Sequence, residues 1–204
     1  VMAVKPQFFF KALKPIKEII SENQVLVSVA AGISINEIEK FLKTKVPVVR
    51  VMTNTPLLVG EGATALARGN YVSDNHMTLA KDLFRNLGLI LELPEDNLNG
   101  VTALSGSGPA YIYLITEALI EAGVRIGLSR DLSKELVFQT ILGSLQMAKD
   151  SGKHLAELKE SVTSPGGTTA AALEHLESKG IRGTIIKAVV NAYERAVELS
   201  LLKE

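Results

Sequence analysis

Two short glycine-rich segments in the second half of the chain carry residue types that bind anions. The first covers residues 104–111, with the sequence LSGSGPAY, and the second covers 164–169, with the sequence SPGGTT. Each leads into an alanine-rich helical pattern, so each places free backbone N–H groups and small hydroxyls at the start of a helix. Because that end of a helix carries a partial positive charge, a carboxylate or phosphate group binds there. Both segments are therefore candidate binding sites.

Both segments also allow a purely structural interpretation. In the second, Ser164 or Thr168 could serve only as the N-cap of the following helix, and the spacing by itself favours this interpretation. In the first, Gly106 and Gly108 could serve only to let two helices cross closely, with the adjacent serines as caps. We favour this packing role for the first segment, with a supporting part in shaping a ligand pocket.

The first part of the chain, up to about Pro94, alternates between strand-like and helix-like patterns. Apolar, β-branched runs predict strands, and apolar residues at helical spacing predict helices, one of which begins with the capping box Ser34-x-x-Glu37. The predicted strands cover residues 1–4, 25–29, 46–52, 63–67 and 89–93, and the predicted helices cover 10–20, 34–41 and 74–86. This alternation is typical of an α/β fold with a doubly wound, mostly parallel sheet.

From Glu95 onward every predicted element is a helix. Ser129 is a suitable N-cap for the longest of these helices, and Gly123 marks the end of the one before it. The predicted helices cover 110–122, 129–150, 154–161, 169–178 and 181–202. Several are apolar over more than one face, whereas a surface helix of a monomer needs only one apolar stripe. This surplus predicts a homodimer formed through the helical half and leaves a higher oligomer open.

Composition disfavours several classes of function. The chain has 22 Lys and Arg and 22 Asp and Glu, so its formal net charge is zero, and we expect neither nucleic acid nor membrane as a partner. No apolar run approaches the roughly 18–20 residues that span a bilayer. With no cysteine and three dispersed histidines, His76, His154 and His175, we predict no metal site. These features favour a soluble, cytoplasmic protein.

The beginning of the chain predicts a strand whose neighbours are missing. Residues 1–4 (VMAV) are all apolar and have no initiator methionine ahead of them. Such a strand usually lies inside a parallel sheet. No Gly-x-Gly-x-x-Gly turn, the usual start of a dinucleotide-binding unit, occurs in the sequence. We therefore expect further strands and the glycine turn to be encoded upstream of Val1.

Five short motifs follow one another along the chain. They are AVKPQ at 3–7, VAAG at 29–32, RVMTNTP at 50–56, LSGSGPAY at 104–111 and SPGGTT at 164–169. In this order they resemble the pyrroline-5-carboxylate reductases over nearly the whole chain. The resemblance implies an oxidoreductase that uses NADPH or NADH to reduce 1-pyrroline-5-carboxylate, a cyclic imino acid, to L-proline in the last step of proline biosynthesis. It also implies an α/β part followed by an all-α part: a partial, Rossmann-like nucleotide-binding domain over 1–95 and a helical dimerisation and substrate-binding domain over 96–204.

The resemblance also assigns a substrate site. It places the carboxylate of the pyrroline on the backbone of Gly167, Thr168 and Thr169, and the hydroxyl of Thr169, the catalytic residue, beside the imine nitrogen. Glu95 matches an acidic position that contacts the substrate in some family members, although an acidic residue here could instead serve as a helix N-terminal charge. The proton for the nitrogen could come from solvent or from Thr169.

Most cofactor contacts implied by the resemblance fall on loops that follow predicted strands, where ligands of open α/β sheets bind. The assigned residues are Ala3, Val4, Lys5, Pro6, Val29, Ala30, Ala31, Asn54 and Ser161. The small residues at 30–32 could instead allow tight strand-to-helix packing, and Lys5 could be a solvated loop lysine. Thr53 stands where the family usually has a proline, and Ser161 where some members have an asparagine. We expect Thr53 to make its loop less rigid and to leave the chemistry intact.

Two other functions remain open. One is a related NAD(P)-dependent reductase that acts on another imine or on a 2-hydroxy acid, which a panel of substrates would distinguish. The other is a non-enzymatic helical dimerisation protein, which would turn over none of them.

Overall fold

A four-stranded sheet organises the first part of the fold, as seen in a computed structural model that describes residues 1–201. Strands β1 (Leu26–Ser28), β2 (Val48–Met52), β3 (Gly62–Arg68) and β4 (Gly88–Glu92) lie in that order across the sheet. The β1–β2 and β3–β4 pairs are parallel, which confirms a mostly parallel sheet. The β2–β3 pair is antiparallel, because the short segment that joins these strands holds no crossover helix.

Helices follow and flank the strands in the order predicted, with one short helix, α4, that was not predicted. They are α1 (Phe9–Leu13), α2 (Ile35–Leu42), α3 (Asp74–Asp82), α4 (Leu98–Val101), α5 (Gly108–Arg125), α6 (Arg130–Ser151), α7 (Leu155–Ser161), α8 (Thr168–Ser178) and α9 (Ile181–Leu201). The predicted class, an α/β part followed by an all-α part, is therefore confirmed. The predicted end of the last helix, Leu202, lies outside the described residues.

The sheet is covered on both faces. Val48 packs into a core with Phe9 and Ile38, which come from α1 and α2. Its neighbour Val49 packs into a second core that includes Met77 of α3. Because successive side chains of a strand point to opposite faces, β2 has helices on both sides, as a doubly wound sheet requires.

The predicted buried strand at 1–4 is wrong in its extent. Only Met2 is buried and paired, through a parallel bridge to Ser28 in which the Met2 N–H donates to the Val27 carbonyl at 2.7 Å. Val1 is 70% exposed and Val4 is exposed as well. A 3₁₀ turn begins at Pro6, so the extended stretch after Met2 is short.

Two predicted helices are shorter than expected. The helix expected over 10–20 is divided into α1 and a 3₁₀ turn at Lys14–Ile16, because Pro15 lacks the N–H that a continuing α-helix needs. The helix expected over 74–86 ends at Asp82 and continues as turns. The order of the strands is the same as predicted despite these two shorter helices.

Two compact units divide the structure. One consists of Val1–Pro109 together with the chain from Val189 onward, and the other of Ala110–Ala188. The family-based boundary between 95 and 96 stays a prediction.

In the second unit, Gly123 lies inside α5 and does not end it. A Cβ at Gly123 would lie 2.5 Å from Ser133 Oγ of α6, so this glycine permits a close crossing of the two helices.

Candidate functional site

Three of the predicted cofactor loops leave the sheet at one edge. Ser28 at the end of β1 pairs with Met2 on one side and with Arg50 of β2 on the other, and all three segments run parallel. Parallel neighbours end at the same edge of a sheet, so the loops that follow them lie side by side. The structure thus brings together the predicted cofactor residues at 3–6, at 29–31 and at 54.

The first two loops expose most of their predicted cofactor residues. Ala3, Val4, Lys5, Pro6 and Ala31 are exposed, Val29 is half-buried and Ala30 is buried. The Lys5 carbonyl accepts the Phe8 N–H at 2.9 Å and thereby starts the 3₁₀ turn Pro6–Phe8. The exposed Lys5 side chain is compatible with either a phosphate contact or a solvated lysine.

Close packing accounts for the glycine in the second loop. Gly32 has a φ of +75°, which other residues rarely adopt, and a Cβ there would lie 3.3 Å from the Leu199 carbonyl oxygen of α9. A small cleft of about 160 Å³ lies beside it, bordered by Pro6, Ala31 and Thr102 among others. The packing alternative therefore holds for Gly32, while Ala31 borders an open space.

In the third loop, Thr53 and Asn54 hold their side chains against the protein. The Thr53 and Thr64 Oγ1 atoms are 2.7 Å apart, and Thr64 is buried in β3. Asn54 Oδ1 accepts the Ala63 N–H at 2.9 Å, and Asn54 Nδ2 donates to the Ser105 carbonyl at 3.1 Å. Both polar atoms of the Asn54 side chain are therefore bonded to backbone groups of this chain.

Glu95 has two donors on a single carboxylate oxygen. Glu95 Oε1 accepts from Arg50 Nη1 and from the Ile35 N–H, both at 2.8 Å. Arg50 is buried, and Ile35 is the first residue of α2, so Glu95 places its negative charge at the N-terminus of α2. Sequence reasoning does not single out Arg50. The feature that could have identified it is its position inside the apolar strand VVRVM, because an arginine that is buried there requires an acidic partner.

The start of α8 presents backbone N–H groups without a side-chain cap. Its N-cap is Gly167, which has no side chain, so the interpretation of Ser164 or Thr168 as the cap is wrong. Gly166 has a φ of +67°, which favours glycine, and a Cβ at Gly167 would lie 2.4 Å from Ser164 Oγ and 3.1 Å from the Ser164 carbonyl oxygen, so a side chain at 167 would crowd the turn. The first intrahelical bond runs from the Ala171 N–H to the Gly167 carbonyl, so the preceding amides, including those of Thr168 and Thr169, point out of the helix end.

The backbone of Gly167 serves the turn itself. Its N–H donates to the Ser164 carbonyl at 3.0 Å, which leaves the amides after it as donors for a ligand. Thr168 is exposed and Thr169 is half-buried. This is the geometry of an anion site at a helix N-terminus.

The segment at 104–111 differs from its predicted packing role. Gly108 would meet no atom within 4 Å if it carried a Cβ, and Gly106 would make only an ordinary contact at 3.5 Å, so neither glycine serves a close crossing within this chain. The Ser105 hydroxyl donates back to the Val101 carbonyl and does not cap α5. The residues Thr102–Gly106 instead form a π-helical turn, a feature frequent at functional sites.

The last predicted cofactor residue, Ser161, lies at the end of α7. Its hydroxyl donates to the Leu158 carbonyl at 2.7 Å within the same helix. Its predicted cofactor contact stays a prediction.

Residues 1–201 contain neither a metal-binding cluster nor a membrane-spanning helix. No group of three or more histidine, aspartate or glutamate side chains is placed to hold a metal ion, and no helix is both long and apolar enough to cross a membrane.

The fold and the loop edge define a class of protein: a chain with a Rossmann-like α/β part, whose loops gather at one sheet edge, and a helical part. The sequence profile described as "Pyrroline-5-carboxylate reductase dimerisation" matches residues 95–199. The pyrroline-5-carboxylate reductase of Corynebacterium melassecola is 44% identical over 201 residues, which cover 97% of this chain and 74% of that relative. This chain belongs to the pyrroline-5-carboxylate reductase family of enzymes.

Solved structures agree with this assignment. The pyrroline carboxylate reductase of Plasmodium falciparum, solved with NADP bound, has a TM-score of 0.91 and 40% identity, and the match covers 97% of this chain and 79% of that one. The enzyme of Coxiella burnetii has a TM-score of 0.89 and 41% identity, with 97% and 74% covered.

Proposed function

We propose that this chain reduces 1-pyrroline-5-carboxylate to L-proline with NADPH or NADH, as the last step of proline biosynthesis. The observation that carries the proposal is the start of α8. Its outward-pointing amides form a carboxylate site that needs no arginine, and Thr169 is the second residue of that helix. Family membership supplies the reaction.

The substrate carboxylate binds the Thr168 and Thr169 amides. Gly167 contributes because it has no side chain and so lets the carboxylate approach the backbone. The Thr169 hydroxyl lies beside the imine nitrogen and is the catalytic residue. When bound, the reduced nicotinamide supplies the hydride to the C=N carbon. The nitrogen takes its proton from Thr169 or from solvent. Glu95 is a second candidate substrate contact through Oε2, since its Oε1 already has two donors.

The cofactor is held by the loops at the common edge of the sheet. The contacts we propose are those of Ala3, Val4, Lys5, Pro6, Val29, Ala30, Ala31, Asn54 and Ser161. The exposed small residues let a dinucleotide approach the backbone. Lys5 supplies a positive charge within the first of these loops. The NADP-bound relative from Plasmodium falciparum supports NADPH or NADH as the cofactor.

The active form is a homodimer that pairs through the helical part. Large apolar side chains on three helices are exposed in the single chain, among them Leu114 of α5, Leu142 of α6 and Ile186 of α9. A surface this apolar requires a partner. The matched dimerisation profile supports this assembly. A cytoplasmic location and any oligomer above the dimer stay predictions.

A spectrophotometric assay tests the proposal. Full-length protein is mixed with NADPH or NADH and 1-pyrroline-5-carboxylate, and cofactor oxidation is followed together with proline formation by mass spectrometry. We expect stoichiometric proline, and little turnover of other cyclic imines or of 2-oxo acids. A preference for one of those other substrates would favour a related reductase, and no turnover of any would favour a non-enzymatic dimerisation protein.

A further inference from the structure

Two sequence motifs that lie 51 residues apart are joined by one side chain. In a continuous α-helix, the N–H of residue 109 would donate to the carbonyl of Ser105. Residue 109 is a proline and has no N–H, so Ser105 loses that donor. The chain here forms a π-helical turn, closed by the Ser107 N–H on the Thr102 carbonyl at 2.8 Å.

Asn54 supplies the donor that Pro109 lacks. Its Nδ2 donates to the Ser105 carbonyl at 3.1 Å, while its Oδ1 accepts the Ala63 N–H at 2.9 Å. Both ends of the amide are thus occupied by backbone groups. The Asn54 carbonyl also accepts the Leu57 N–H at 3.2 Å, which starts the next 3₁₀ turn.

A second tie holds the same loop from the other side. Thr53 Oγ1 is 2.7 Å from Thr64 Oγ1, and Thr64 is only 3% exposed. Residues 53 and 54 are therefore fixed to the start of β3, and residue 54 is fixed also to the turn before α5.

We propose that Asn54 is a positioning residue: it locks the third cofactor loop to the π-helical turn so that the loop keeps its cofactor-binding geometry. Its side chain acts through Ser105 and Ala63, and any contact with the cofactor comes from the main chain of the loop. This inference rests on the proposed function. The Thr53–Thr64 bond serves the same purpose from the strand side.

The first test distinguishes two roles of Asn54: holding the cofactor loop in place, and merely supplying a hydrogen bond to the Ser105 carbonyl. Asn54→Ala leaves Ser105 without a donor, and it should lower the thermal midpoint and raise the Kd for NADPH about tenfold. Adding Pro109→Ala restores an N–H for Ser105. In the double variant the thermal midpoint should recover in part, while the Kd for NADPH stays raised because the loop is still untied. Recovery of both, or an unchanged Kd in Asn54→Ala, would overturn the proposal.

The second test uses a residue that the cofactor cannot reach. Thr64→Val keeps the shape of a buried side chain and removes only the bond to Thr53. We expect it to raise the Kd for NADPH about threefold to tenfold, with the far-ultraviolet circular dichroism unchanged. An unchanged Kd would contradict the proposal even if the Asn54 variants fail to fold. If wild-type protein neither binds NADPH nor forms proline, the proposed function has failed, and not this inference alone.

Discussion

Arg50 and Glu95 form a salt bridge at 2.8 Å across 45 residues of sequence. The arginine comes from the middle of β2, and the carboxylate also holds the first N–H of α2. Through Glu95, the buried Arg50 therefore connects the central sheet to the start of α2. It also connects the sheet to the segment at which the helical part of the sequence begins.

Removal of Glu95 should destabilise the fold. Glu95→Ala leaves Arg50 buried without its partner, and we expect a loss of about 2–3 kcal/mol in the free energy of unfolding by urea, below the usual figure for a fully buried pair because Glu95 is partly exposed. Asp96→Asn, at the exposed neighbouring acid, should change it by less than about 0.5 kcal/mol. If Glu95→Gln raised the KM for pyrroline-5-carboxylate tenfold at unchanged stability, its substrate contact would be the main role.

Thr169→Ala should lower kcat about 10–100-fold, equivalent to roughly 1.4–2.7 kcal/mol, because the proposed hydroxyl contact with the imine nitrogen should strengthen in the transition state. KM should change less, since the backbone donors remain. Thr168→Ala is the matched control. Because Gly167 is the N-cap, Thr168→Ala should leave stability within about 0.5 kcal/mol, contrary to a helix-capping role for Thr168. Unchanged kcat for Thr169→Ala at saturating NADPH would remove Thr169 from the chemistry.

Gly123→Ala should destabilise the crossing of α5 and α6. The new Cβ would lie 2.5 Å from Ser133 Oγ and 2.8 Å from Ser133 Cβ, so the helices must separate, at a cost of about 1–3 kcal/mol. Gly143→Ala in α6 is the control, because its Cβ would meet only the end of the Gln139 side chain, at 4.0 Å. There the gain in helix propensity should stabilise the protein by about 0.5–1 kcal/mol. Equal effects of the two changes in thermal unfolding would contradict the close crossing.

Glu92 should make stability depend on pH in the acid range. Hydrogen bonds from Lys81 and then Arg68 lower the pKa of Glu92 below its ordinary value. Since the unfolded pKa, about 4.3, is the higher one, the stabilisation is complete above it and is lost as pH falls through the folded pKa. Glu92→Gln should therefore show a smaller rise in stability between about pH 3 and pH 5 than wild type. A parallel rise in both proteins would exclude this pair of contacts as the cause.

Leu142→Glu should weaken the proposed dimer. Leu142 is 65% exposed in the single chain, and a charge there would be buried in a helical interface that we expect to exceed roughly 2,000 Å². Sedimentation at micromolar concentration should show a dimer for wild type and a shift toward monomer for the variant. Ile19→Glu, at a site on the α/β unit that is 75% exposed, should leave the dimer intact. A stable wild-type monomer would contradict the assembly.

Local features of this fold could be predicted because their partners are close in sequence. The Ser34–Glu37 capping box forms both of its bonds, and Ser129 caps α6, since each involves residues three apart. The alternation of strands and helices likewise predicts the loops that gather at one sheet edge. The continuation of α5 past Gly123 to Arg125 could not be predicted, because that glycine packs against Ser133 on another helix.

By itself the sequence determined the fold class and the order of most elements, and it predicted an anion site at the start of α8, because these depend on short-range periodicity and on glycine. Only the tertiary structure decided which groups meet: Glu95 with Ile35, 60 residues away, and Asn54 with Ser105. A carboxylate or an amide suits many partners equally well, and its actual partner is selected when buried polar groups must all be paired inside a packed core.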